Sequence, residues 1–150
     1  MALGACQPAA RLEPAATVRI VRASPAEAGA RAAAALRAAG FAVTEIAGSA
    51  APTLRGELAA GVDPAWAYCP GIWTSDPFSD VGQSRFVQAE GRRAVAVVRT
   101  SALPQGTGVE VDLQVIGLYR HAFTGDRVEA RCGSTGLLER RILDEAAGIG

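Results

Sequence analysis

Few side chains in this 150-residue sequence are of a type that does chemistry, and their spacing narrows what that chemistry would be. His121 is the only histidine. No Ser or Cys near it stands in a Gly-x-Ser-x-Gly setting, so a hydrolase built on His121 has no nucleophile legible in the sequence. The competing reading, a surface or packing histidine beside a hairpin, needs no partner. Asp63, Asp76 and Asp80 offer oxygen ligands to a hard cation, but Asp76-Pro77-Phe78-Ser79-Asp80 lacks the alternation and the closing Glu of a calcium loop. These carboxylates are expected to cap turns, and no metal is expected. Gly106-Thr107-Gly108 and Gly133-Ser134-Thr135-Gly136 are glycine-rich but lack the Lys of a phosphate loop. The second reads as a helix start, whose amides hold an anion weakly at most. The chain therefore reads as non-enzymatic and free of cofactors. Its three cysteines, Cys6, Cys69 and Cys132, form an odd set, so one of them needs an explanation apart from any pair.

Recognition is the better prospect. Trp66, Tyr68, Trp73 and Phe78 crowd into residues 59–83, where Asp63-Pro64, Pro70-Gly71, Asp76-Pro77 and Val81-Gly82 break any periodicity. A long irregular stretch inside a compact domain is uncommon and often functional. Trp and Tyr anchor many interfaces, so the four aromatics are candidates for a partner-binding cluster. The alternative is that they plug one end of the core.

Composition excludes other partners. Fifteen basic residues, all Arg, balance fifteen acidic ones, and the arginines are scattered along the chain. No phosphate-backbone footprint results, so nucleic acid is not expected. The Arg, Ala and Gly bias reads as high-GC coding. No run approaches the roughly 18 apolar residues of a membrane-spanning helix. The length suits one domain, expected over residues 17–147.

The elements that must position these residues follow from periodicity. Val109, Val111, Leu113 and Val115 alternate with Glu110, Asp112 and Gln114, the period of a half-buried strand. Residues 93–101 are apolar on both faces and read as the more central strand, turned antiparallel onto the first through residues 103–108. Upstream, residues 17–22 form a strand with Val18 and Ile20 on one face. Ser24-Pro25-Ala26-Glu27 starts a helix, with an N-cap Ser and Pro at the first helical position, and Gly40 ends it. Residues 41–46 and 53–58 are strands, Arg55 and Glu57 pointing outward. Residues 85–89 are a strand turned into the central one by Glu90-Gly91-Arg92. Gly125-Asp126 marks a hairpin that sends residues 128–132 back. Ser134 or Thr135 caps a last helix with Leu137, Leu138, Ile142 and Leu143 on its apolar stripe and Glu139, Arg140, Arg141, Asp144 and Glu145 toward solvent. The predicted class is α+β: strand-helix-strand-strand, an antiparallel meander and a closing helix, with two helices on one face of the sheet.

Leu3-Gly4-Ala5-Cys6 resembles the lipobox of bacterial envelope lipoproteins. The resemblance implies cleavage before Cys6 and lipidation of its thiol. The basic and apolar leader that normally precedes a lipobox would then lie upstream of Met1. Residues 7–16, with two prolines and little to bury, would be an extended tether. An exported domain implies in turn that Cys69 and Cys132 pair, closing a loop of some sixty residues, because oxidising compartments retain disulfides. Two buried thiols in a cytosolic protein are the other possibility. Ala50-Ala51-Pro52-Thr53-Leu54-Arg55, after strand-helix-strand, is similar to a phrase of the lipopolysaccharide-assembly lipoproteins. Together these resemblances imply a lipid-anchored accessory or assembly protein on the periplasmic side of the outer membrane, binding another envelope protein. The alternative is a periplasmic module binding a glycan or lipid between the aromatic loop and the sheet.

Overall fold

The computed structural model describes residues 17–46 and 51–149. Cys6, the tether over residues 7–16 and Ala50 lie outside the described residues. The elements are β1 (Val18–Val21), α1 (Pro25–Ala38), β2 (Ala42–Ile46), β3 (Thr53–Leu58), a 3-10 turn (Pro64–Trp66), β4 (Ala67–Tyr68), β5 (Ile72–Ser75), β6 (Ser84–Val87), β7 (Gly91–Leu103), β8 (Gly106–Arg120), β9 (Arg127–Arg131), β10 (Gly133–Ser134) and α2 (Leu137–Ala147). The fold is α+β, with an antiparallel main sheet in the order β2-β3-β7-β8-β1.

Strand β8 serves two partners along one edge. Its first half pairs with β1, Val18 opposite Glu110, and its second half with β9, Ile116 opposite Arg131. Between them, Val111 N donates to Thr17 O at 2.8 Å and Cys132 N donates to Val115 O at 2.8 Å, so few backbone groups on this edge are left unpaired. The β7-β8 turn closes on Pro104 and Gln105, with Leu103 opposite Gly106. Gly106 has φ +149°, and a Cβ there would lie 2.2 Å from the carbonyl oxygen of Val21, so only glycine fits.

Local signals set the ends of α1. Ser24 Oγ accepts from Glu27 N at 3.2 Å, the N-cap bond. At the other end Gly40 N donates to Arg37 O and Phe41 N to Leu36 O, both at 3.0 Å, with Gly40 at φ +98°. This is a Schellman motif, and it folds the buried Phe41 back onto the core.

The core joins Leu36 of α1 and Leu138, Ile142 and Leu143 of α2 to Ala94, Ala96 and Val98 of β7 and Val109, Val111 and Val115 of β8. Alanines 28, 32 and 35 of α1 are buried as well; the two helices touch each other, α1 meets β7 and β8, and α2 meets β8 and β1. Small side chains permit that close approach. Thr107, fully buried, donates its hydroxyl to Ala23 O at 2.7 Å and so satisfies its one donor.

Several expectations change. Val18 and Ile20 do share a face, but both are more than half exposed; the core side of β1 carries Val21, and Arg19 pairs with Asp144 of α2. Val95 and Val97 of β7 are only half-buried, so this strand is interior to the sheet without being covered on both faces. Residues 84–87 do not pair with β7. They pair with β5 in a separate two-stranded sheet, because the chain leaves the main sheet after β3 and rejoins it only at Gly91. Glu139, expected in solvent, is 3% exposed. It sits in the first turn of α2, where the partial positive charge of the helix start suits a carboxylate, and its Oε1 accepts from Ser134 Oγ. The residue at the N-cap itself is Gly136, at φ +80°.

Candidate functional site

The hairpin of β5 and β6, with its connecting turn, carries the most exposed aromatic side chains among the described residues. Ile72-Trp73-Thr74 and Phe86-Val87 are β-formers, separated by a Pro- and Gly-containing turn over residues 76–83. The turn holds itself together: Asp76 N donates to Gln83 O at 2.7 Å, Asp76 Oδ1 accepts from Phe78 N at 2.9 Å, and Gly82 takes φ +67°. Asp63 Oδ1 likewise accepts from Ala65 N at 2.9 Å at the start of the 3-10 turn. These two carboxylates cap turns.

Alternation along the hairpin separates an anchored face from a displayed one. On the anchored face Thr74, 5% exposed, donates to Arg85 O at 3.2 Å and accepts from Ala122 N at 3.2 Å. The Arg85 guanidinium lies over the Phe123 ring, 5.3 Å from its centroid. His121 supports that contact from behind: its Nδ1 accepts from Phe123 N and Thr124 N, both at 3.2 Å, and so holds the turn between β8 and β9. At the base of the hairpin Tyr119 Oη donates to Pro70 O at 2.5 Å. Cys69 and Cys132 stand at disulfide distance beside it, with Cα atoms 4.5 Å apart.

On the displayed face Trp73 packs on Phe86, ring centroids 5.3 Å apart. The Phe86 ring lies so close over Gly71 that a Cβ there would fall 2.2 Å from it. Trp73 is 70% exposed, and at the tip Phe78 is 88% and Val81 82% exposed. Tyr68, on β4, is exposed too. Trp66 is the exception among the four aromatics singled out in the sequence. It is 8% exposed and stacked on Phe41 at 6.0 Å, so it belongs to the core. Its backbone carbonyl accepts from Thr135 N at 3.0 Å and braces the approach to α2.

Phe86 and Val81 are surface residues that sequence reasoning missed. The signal was present: Ile72-Trp73-Thr74 and Phe86-Val87, all β-formers, flank Asp76-Pro77 and Val81-Gly82, as a hairpin with a long loop requires.

An apolar depression lies elsewhere, at the start of the main sheet. Val18, Ile20, Thr53, Arg99, Ser101 and Leu103 line an open groove of about 420 Å³. Arg99 stands on its rim with a nitrogen 3.8 Å from Glu110 Oε1. Among the described residues, no helix is long and apolar enough to cross a membrane. Compared with protein-family models, curated proteins and solved structures, the chain matches none.

Proposed function

We propose that the protein is a non-enzymatic, lipid-anchored accessory protein of the bacterial envelope that uses its β5-β6 hairpin to dock on another envelope protein. In this reading residues 1–16 comprise the signal remnant, the lipidated Cys6 and the tether that follows it, and residues 17–147 are the folded body, on the periplasmic side of the outer membrane. The two helices cover the sheet face that bears Ala94, Ala96 and Val98. Cys69 and Cys132 are oxidised to a disulfide, and they fix the base of the hairpin.

The observation that carries the reading is the exposure of Trp73, Phe78 and Val81 on an element tied down by Thr74, Arg85 and Tyr119. Large apolar side chains exposed on one element are costly to leave in water and are candidates for an interaction site. A rigid display lowers the ordering cost of binding. His121 holds a backbone turn in this arrangement, and the reading gives it no catalytic role.

A pull-down from the bacterium that encodes the chain tests the proposal. Trp73→Ala and Phe78→Ser should each lower recovery of one specific envelope protein at least tenfold, while thermal melting stays within a few degrees of the parent. Unchanged recovery from both variants, with the fold intact, would sink it. The groove beside β1 favours a second reading, a module for a small apolar ligand such as a lipid. Chemical-shift changes confined to Val18, Ile20 and Leu103 on adding a short-chain phospholipid would support that one.

A further inference from the structure

We infer that the hairpin tip fits an apolar cleft of a partner protein whose rim is basic, and not a lipid surface. The inference rests on the reading of the hairpin as a docking element and adds the chemistry of what it meets. Two independent features of the hairpin and its turn point the same way.

The first is charge. Asp76 and Asp80 are the only charged residues between Ser75 and Ser84. Asp76 already accepts from Phe78 N. Asp80 is exposed and takes part in none of the ion pairs among the described residues. The one cation of the hairpin, Arg85, is turned to the anchored face over Phe123 and cannot neutralise the tip. Phe78 and Val81 are thus presented together with a free carboxylate. Anionic headgroups would repel that carboxylate, whereas Lys or Arg on the edge of a protein cleft would steer it and fix its register.

The second is the aromatic face. Trp73 is 70% exposed, with Phe86 packed against it. An exposed indole attracts a guanidinium or ammonium through its ring quadrupole, again a basic partner group. In such an interface Phe78 and Val81 would be the buried anchors and Trp73 and Asp80 the contacts around them.

Photo-crosslinking in the encoding bacterium tests this with the full chain. A benzophenone amino acid replaces Val81, and a control carries it at Glu57 on β3. The expected result is one protein adduct from position 81 and none from position 57, its cross-linked peptide carrying Lys or Arg. Its yield should fall about tenfold with Phe78→Ser and to a similar extent with Asp80→Arg. Asp80→Asn, expected to give an intermediate loss, carries the test should Asp80→Arg lower the melting temperature. An adduct lost with Phe78→Ser but indifferent to both changes at Asp80 overturns the basic rim and leaves the docking reading standing. Loss of both is the outcome if no adduct forms at position 81. Lipid adducts, or co-sedimentation of the purified chain with 3:1 phosphatidylethanolamine-phosphatidylglycerol vesicles that Phe78→Ser abolishes, would assign the tip to the membrane and overturn the inference.

Discussion

The hydroxyl of Tyr119, buried in strand β8, donates to the carbonyl of Pro70 at 2.5 Å and thereby ties the long central hairpin to the base of the displayed one. Its ring lies over Gly117, where a Cβ would come within 2.8 Å of it, so the contact depends on a bare backbone beneath it. Removing the hydroxyl isolates its effect. Tyr119→Phe should cost about 1 kcal/mol of stability, the net worth of one hydrogen bond. Because the bond anchors a local element, amide exchange in residues 71–75 should accelerate more than exchange in β7. Hydrogen-exchange mass spectrometry checks both, and uniform acceleration across the sheet would contradict the anchoring role.

Cys69 and Cys132, at disulfide distance, are 63 residues apart, and a cross-link between them would constrain the unfolded chain strongly. Urea denaturation with and without reductant should differ by about 4 kcal/mol in the chain-entropy model. Thiol labelling of the unreduced, unfolded full chain should find neither cysteine free. Two labelled thiols at these positions would refute the pairing.

Two glycines with positive φ should respond differently to the same substitution. Gly106→Ala drives a Cβ against the Val21 carbonyl at 2.2 Å and must distort either β1 or the β7-β8 turn. Its cost should exceed that of Gly125→Ala, where φ is +74° but no atom lies within 4 Å of the added carbon. The second change carries only the left-handed penalty of about 1–2 kcal/mol. Chemical denaturation of the two variants side by side gives the ranking, and the reverse order would be inconsistent with the turn described.

On α2 the apolar stripe separates buried from idle positions. Ile142 is fully buried and Leu137 is 47% exposed. Ile142→Ala should cost about 2–5 kcal/mol, whereas Leu137→Ala should stay below about 1 kcal/mol. Equal losses would mean that the helix is rotated from the orientation seen here.

Signals carried by neighbouring residues were legible in the sequence. Ser24 and Gly40 mark the two ends of α1 because a cap needs only residues within one turn of it. The alternation at Val109, Val111, Leu113 and Val115 identifies the buried side of β8 because a strand's period is a property of its own backbone. The stripe on α2 is local in the same sense.

What a periodic pattern leaves open is which neighbour arrives, and that was decided by contacts far apart in sequence. Val18 and Ile20 share a face by spacing alone, but that face is open because Arg19 pairs with Asp144 and Val21 meets the core on the other side. Trp66 and Trp73 look alike in the sequence. One is buried because Phe41 stacks on it, and the other is displayed because Thr74 and Arg85 claim the opposite face of its hairpin. Glu139 went inside because Ser134 reaches its carboxylate at the start of the helix. Local backbone geometry determines which side chains point together, but burial depends on surfaces brought from elsewhere in the chain. The displayed face of the hairpin, and with it the candidate site, therefore emerged only in the tertiary structure.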